Sequence, residues 1–252
     1  GKAAVEGIAH YAVEAAILKV FGSEVLDFVI DEAVQIHGGM GYSAEMAVER
    51  GYRDSRINRI FEGTNEINRL LVVDTAMKRA MKGDFDLNGK AEALAANLDT
   101  VVENEVDGEG YYDQKMRYLR NFKKAVLLVI HGASTTFGRQ LIHQQEVLNN
   151  ISDMITELYA SESSALRVKK MESLKGEETI AVYRQILDVM IYDAAGKIEK
   201  NGQDAVNSYS SGQEAENMIA AIKSLSIVKG VNVKEARRVI AEKLIEDNRY
   251  SF

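Results

Sequence analysis

The chain has 252 residues and a formal net charge of −7, and it contains no proline, tryptophan or cysteine. Proline interrupts helices and makes up about 5% of an average protein, so its absence favours nearly continuous helix, while the lack of cysteine excludes disulfides and thiolate metal sites. Acidic and basic residues are mixed along the chain, which argues against nucleic-acid binding, and the longest purely apolar run, Ala125 to Ile130, is far too short to span a bilayer.

The first third of the chain places apolar residues at helical spacing and interrupts them with glycines. Gly22 separates the first two predicted helices, and Ser23 caps the second, which stops at Gly38 and Gly39. Thr64 caps the fourth. The four predicted helices cover residues 1–20, 24–37, 44–50 and 65–82.

Helical periodicity resumes after a connector at residues 84–89. Gly108 and Gly110 break the chain before a long helix, and Asn232 caps the last one with Glu235 three residues on, which resembles a capping box. No segment of useful length has the period of a strand, so the sequence predicts an all-α fold. Six helices are predicted here: a short one after Asn88, then 113–141, 147–170, 177–200, 212–228 and 233–248.

Two features of residues 35–70 differ from ordinary bundle sequence. Three glycines within four residues, Gly38, Gly39 and Gly41, leave backbone that can approach a ligand closely and whose N–H groups can face a phosphate. A helix end followed by a tight turn explains the same pattern. Glu62, between an aromatic residue and a glycine, can likewise be a solvated acid at a helix entrance. The residue pattern alone favours these structural explanations.

Two motifs in this region resemble the C-terminal motifs of acyl-CoA dehydrogenases. The first is Gln-Ile-His-Gly-Gly-Met-Gly-Tyr at residues 35–42, and the second is Arg-Ile-Phe-Glu-Gly-Thr-Asn-Glu-Ile at residues 59–67. Their order and separation match the family. The later helices are similar, in length and helicity, to the extension of the very-long-chain branch. We expect an N-terminally truncated C-terminal helical domain at 1–86, followed by a second helical bundle, the C-terminal extension, at 87–252.

The resemblance implies a catalytic base. Family members remove an α-proton from an acyl-CoA thioester while a hydride leaves the β-carbon for flavin N5. Because an α-C–H is a weak acid, the base must be a carboxylate in a dry pocket, where desolvation raises its pKa. By resemblance, Glu62 is this base, Phe61 forms an apolar wall of the substrate site, and Gly63 lets the thioester pass close to the backbone.

The resemblance also implies an FAD site. Thr64 has a second explanation as a helix cap. Family members hold most of the flavin and the CoA in an N-terminal helical domain and a β-domain, so we expect this chain alone to bind FAD poorly and to be inactive. The implied FAD contacts form two sets: Gln35, Ile36, His37, Gly38 and Gly39, which in relatives reach the cofactor of a neighbouring subunit, and Thr64, Asn65 and Glu66, next to the base.

Further expectations concern partners and location. The resemblance implies a fatty acyl-CoA substrate, electron-transfer flavoprotein as electron acceptor, a homodimer, and a cytoplasmic location, or the mitochondrial matrix or inner membrane in a eukaryote. The amphipathic helices after residue 87 are expected to pack on one another, with contact to a membrane surface as the alternative. Two other functions stay open, a helical interaction or scaffold module and an acyl-CoA oxidase fragment. The presence of Glu62 and Gly63 favours an enzyme over a scaffold.

Overall fold

A computed structural model describes residues 7–102 and 110–252, and these residues contain no β-strand. The all-α prediction is therefore confirmed. None of the helices described is long and apolar enough to cross a membrane. Contacts divide the chain into two compact units between Phe85 and Asp86. The assignment of residues 1–86 and 87–252 to two family domains stays a prediction.

The first unit is built around its longest helix. This helix, α1, packs against both α2 and α3, and a 3-10 turn at Gly38–Tyr42 follows it. The predicted break at Gly22 is wrong because a single glycine inside a helix costs only about 1 kcal/mol relative to alanine. Ser23 is not a cap: it is buried inside α1, and its hydroxyl donates to the Val20 carbonyl at 3.0 Å. Within the described residues, the bounds of these helices are α1, Ala12–His37; α2, Ala47–Ile57; and α3, Asn65–Met81.

The other predicted boundaries in this unit have mixed outcomes. Gly38 has a φ of 60° and ends α1 as predicted, and Thr64 caps α3 by accepting the Ile67 N–H at 3.2 Å. Helix α2 starts at Ala47, three residues later than predicted. It continues past residue 50 because Gly51 keeps a helical conformation. Gly38 therefore ends a helix because its backbone leaves the helical region, whereas Gly51 stays helical and does not.

The apolar residues of α1 lie on two opposite faces of the helix. One face is buried in the unit and carries Ala16, Ile17 and Val20. Residues on the opposite face follow each other at intervals of seven and four, which places them in one line along the helix. The residues of this line, which are exposed within this unit, are Leu18, Val25, Val29 and Ile36.

The described residues of the second unit form a bundle of six helices. Helices α6 and α7 pack along each other, both contact α5, and α7 also contacts α8 and α9. Helix α4 packs on α5. The helices are α4, Leu87–Ala95; α5, Tyr111–Phe137; α6, Gln145–Lys175; α7, Ala181–Tyr209; α8, Gly212–Leu225; and α9, Val233–Asp247.

The boundaries in the second unit refine the prediction. Helix α4 starts at Leu87, capped by the Asp86 side chain, rather than after Asn88. Helix α5 ends before Gly138, which has a φ of 52°, and so does not reach residue 141. The predicted cap at Asn232 is confirmed, since its Oδ1 accepts the Glu235 N–H at 3.3 Å. The predicted break at Gly108 lies outside the described residues.

The core of the second unit is fully enclosed. Apolar side chains from α5, α6, α7 and α8 meet there, and burial of each contributes about 1.5–3 kcal/mol. The largest of these side chains, each less than 2% exposed, are Phe122, Leu119, Leu128, Ile151, Met154, Leu187, Ile191, Ile198, Ile222 and Leu225.

An ion pair lies inside this bundle. Lys115 of α5 is 6% exposed, and its Nζ lies 2.6 Å from Oδ1 of Asp188 in α7. The Tyr111 hydroxyl donates to the same carboxylate oxygen at 2.8 Å, and the ammonium also lies 4.8 Å from the centroid of the Tyr111 ring. Because a buried charge is tolerated only when it is paired, this contact ties α5 to α7.

Candidate active site

The loop between α2 and α3 carries the predicted base. Glu62 has a φ of 57° and Gly63 a φ of 80°. This left-handed region suits glycine but costs a residue with a side chain about 1–2 kcal/mol. Across the described ranges, Asn248 is the one other non-glycine residue with a positive φ. Strain of this kind persists where the surroundings enforce it, and it clusters at functional sites.

Hydrogen bonds within the loop fix its shape. The Asn65 N–H donates to the Arg59 carbonyl at 3.1 Å, which closes the loop across Glu62. The side-chain amide of Asn68 donates to the carbonyls of Gly63 and Thr64, at 2.9 and 3.0 Å. The peptide groups on the C-terminal side of Glu62 are therefore held from within α3.

Both ends of the loop are also tied to α1. At one end, Arg59 forms an ion pair with Asp27, with 2.8 Å between Nη1 and Oδ2. At the other end, the Asn65 side chain is buried, and its Oδ1 accepts from Lys19 Nζ at 2.7 Å. The Asn65 amide nitrogen donates to Ser23 Oγ at 2.9 Å and lies 3.3 Å from a Glu24 carboxylate oxygen.

The Glu62 carboxylate is free to act on a ligand. Its side chain is exposed and has no hydrogen-bond or ion-pair partner among residues 7–102 and 110–252. It borders a groove of about 470 Å³. The apolar side chains that line this groove are Leu18, Leu26 and Phe61. The predicted base and the predicted apolar wall thus share one groove. The dry surroundings expected for the base are not supplied by these residues.

The first predicted cofactor set lies at the C-terminal end of α1. Residues 35–39 are all exposed. A Cβ added at Gly38 or Gly39 would meet no atom within 4 Å, so a ligand can approach this backbone. Gly41 is different, because an added Cβ would lie 2.5 Å from the Val34 carbonyl oxygen. Its glycine is explained by close packing of the turn against α1.

The second predicted cofactor set adjoins Glu62 at the start of α3. Hydrogen bonds from its own N–H and from the Thr64 hydroxyl lower the pKa of Glu66, which therefore stays negatively charged near neutral pH. Asn65 contacts Ser23, which precedes Gln35 by 12 residues in the same helix. At 1.5 Å per residue this separates the two sets by about 18 Å along α1.

Sequence reasoning missed the residues that support the loop. Asn68 and Asp27 belong to no motif, and Lys19 was given no role in the site. Lys19 and Asp27 reach the loop only because α1 packs across α2 and α3. Within the motif, the structure adds that the Asn65 side chain points into the unit.

Comparisons with known proteins agree with the motifs. Two family models, both described as the C-terminal domain of acyl-CoA dehydrogenases, match residues 2–77 and 121–224. A probable acyl-CoA dehydrogenase of Bacillus subtilis is 38% identical, over 100% of this chain and 42% of the relative. The human very long-chain specific acyl-CoA dehydrogenase, a mitochondrial protein, is 29% identical, over 89% of this chain and 37% of the relative.

A solved structure is similar over the whole chain. The crystal structure of an acyl-CoA dehydrogenase complexed with FAD from Bacillus anthracis superposes with a TM-score of 0.95 at 41% identity. The match covers 100% of this chain and 43% of that chain. The chain thus spans less than half the length of each of these relatives.

Proposed function

Because the chain belongs to the acyl-CoA dehydrogenase family, we propose that it is the C-terminal part of an FAD-dependent enzyme that introduces an α,β double bond into fatty acyl-CoA thioesters. This is the oxidation that begins each round of fatty acid β-oxidation. The observation that carries the proposal is the placement of Glu62. Its unpartnered carboxylate stands on strained, firmly held backbone beside a groove that Leu18, Leu26 and Phe61 help to line.

In this proposal Glu62 takes the α-proton of the substrate. The electron pair of the α-C–H bond forms the new double bond, while the β-carbon loses a hydride. FAD, when bound, supplies the acceptor for that hydride. The Phe61 ring borders the groove next to the reacting carbons, and the thioester would lie beside the backbone of Gly63. Transfer of a proton to a positioned base contributes about 10²–10⁴-fold to such a reaction.

Residues of this chain would hold part of the cofactor. We assign Thr64 and Glu66 to the FAD that serves Glu62, and residues 35–39 to the FAD of a second copy. The open space above Gly38 and Gly39 fits a ligand laid against the backbone. Because the motif at residues 35–39 resembles one that reaches the cofactor of a neighbouring subunit, this assignment implies a homodimer.

The remaining partners follow from the same proposal. Electron-transfer flavoprotein is the proposed acceptor of the electrons. The higher identity to the Bacillus subtilis relative than to the human mitochondrial one supports a cytoplasmic location. Peripheral contact between the second unit and a membrane is a weaker proposal, because Arg237 of the basic pair at 237–238 is already paired with Asp193 at 3.1 Å.

Replacement of the base tests the proposed function. In the full-length enzyme, Glu62→Gln should keep FAD but slow flavin reduction by acyl-CoA by about 10²–10⁴-fold, since the amide cannot accept the proton. Stopped-flow bleaching of the flavin measures this rate. Glu92→Gln, an exposed residue of α4, is the matched control and should leave the rate unchanged. Near-normal reduction by Glu62→Gln would place the base elsewhere. If the reduced flavin of the unmodified enzyme passes its electrons to molecular oxygen, the oxidase alternative is favoured.

A further inference from the structure

We infer that Asn65 is a positioning residue, which holds Glu62 in its reactive conformation through hydrogen bonds to α1. This inference rests on the proposed function of Glu62 as the base. It gives the Asn65 side chain a different role from the cofactor contact predicted for it. The basis is the set of bonds made by a side chain that is only 1% exposed.

The Asn65 side chain uses both its acceptor and its donors inside the unit. Its Oδ1 accepts from Lys19, 2.7 Å away, and its Nδ2 donates to Ser23, 2.9 Å away, with Glu24 at 3.3 Å. A leucine would leave the Lys19 ammonium without this acceptor. An aspartate could still accept from Lys19 and Ser23, but it would have no donor for Glu24 and would set a carboxylate next to that of Glu24. The site therefore requires a group that both accepts and donates.

These bonds matter for Glu62 because of where Asn65 lies. Its own N–H closes the loop onto the Arg59 carbonyl at 3.1 Å, and Arg59 is held to α1 by Asp27. Glu62 thus lies between Arg59 and Asn65, and both of these residues are bonded to α1. Its φ of 57° is unfavourable by itself, so it requires both attachments to hold.

No donor of Asn65 remains for a ligand. The backbone N–H is used within the loop, and both ends of the amide are used against α1. A buried polar network that is fully satisfied gives rigidity and a single geometry. Loss of one member would let the loop relax toward ordinary φ values and move the carboxylate. A misplacement of about 1 Å costs a reaction up to about 10²-fold.

A double-mutant cycle on flavin reduction in the full-length enzyme tests the inference. Asn65→Ala should lower the rate constant for reduction by about 10–100-fold at saturating acyl-CoA, with KM and FAD content little changed. In a Glu62→Gln background the same substitution should have no further effect, because the group it positions is already lost. Ser23→Ala, a milder change, should give a smaller loss in the same direction.

A matched variant separates positioning from general stability. Val72→Ala removes a fully buried side chain from α3 without touching the loop, so it should lower the melting temperature and leave the reduction rate unchanged. An equal loss from Asn65→Ala in both backgrounds, or no loss in either, overturns the positioning role. Normal reduction by Glu62→Gln overturns the base assignment and the inference together. Impaired reduction by Glu62→Gln with a normal Asn65→Ala overturns the inference alone.

Discussion

Replacing Glu62 by glycine should make the first unit more stable while abolishing its contribution to catalysis. Releasing the left-handed strain at Glu62 returns about 1–2 kcal/mol. The greater freedom of glycine in the unfolded chain offsets about 0.5–1 kcal/mol of this. The Glu62 side chain is exposed and unpartnered within the described residues, so its removal sacrifices little contact. We expect a net increase of about 0.5–1 kcal/mol in the free energy of unfolding.

Native-state hydrogen exchange measures this change in the first unit separately. Amides of Val72 and Val73, which are buried in α3, should exchange about two- to fivefold more slowly in Glu62→Gly. The control is Glu32→Gly, at an exposed position inside α1, where glycine should destabilise by about 1 kcal/mol and speed exchange. The two substitutions remove the same side chain and differ in the backbone conformation they meet.

The sign of the effect decides the outcome. If Glu62→Gly speeds exchange in α3 as Glu32→Gly does, the backbone at Glu62 is not strained in solution. The attachments of the loop to α1 then do not impose a left-handed conformation on Glu62. Slower exchange together with loss of flavin reduction in the full-length enzyme would show that stability is given up at this residue for function.

Two further predictions concern the second unit. Phe122→Ala, at a residue with no exposed surface, should destabilise the bundle by about 3–5 kcal/mol in urea unfolding, whereas Leu174→Ala, at a residue 72% exposed, should change stability by less than about 0.5 kcal/mol. Burial and the hydrogen bond to Glu172 raise the pKa of Tyr112 to about 12. Because the unfolded pKa is about 10, this stabilisation is complete below pH 10 and is lost as pH rises from about 10 to 12, so Tyr112→Phe should show a shallower alkaline loss of stability than the parent chain.

The sequence predicted helices well where a side chain or a backbone conformation was locally specified. Thr64 and Asn232 cap their helices because a short polar side chain reaches back to a nearby N–H, which depends on a few residues only. Gly22 does not end a helix as predicted, and Gly51 continues a helix that the prediction stops at residue 50. The positions of these glycines are known from the sequence, but their backbone conformation depends on how the surrounding helices pack.

The same distinction applies to the candidate site. The motif predicted Glu62 and its neighbours because they adjoin in sequence. The attachments of the loop could not be predicted, since Lys19 and Asp27 lie 46 and 32 positions before the residues they bind. The left-handed φ of Glu62 was equally hidden, because it results from those attachments. The burial of Asn65 has the same origin.

The ion pair between Lys115 and Asp188 constrains how the second unit can change over evolution. Losing Asp188 alone leaves the buried Lys115 ammonium unpaired between α5 and α7, at a cost of about 3–5 kcal/mol, which is a large fraction of the stability of a typical domain. Replacing both together by apolar residues of similar volume can be nearly neutral. A chain that passes from one state to the other by single substitutions therefore goes through a less stable intermediate. The two positions are therefore inherited as a unit, although 73 positions separate them in the chain.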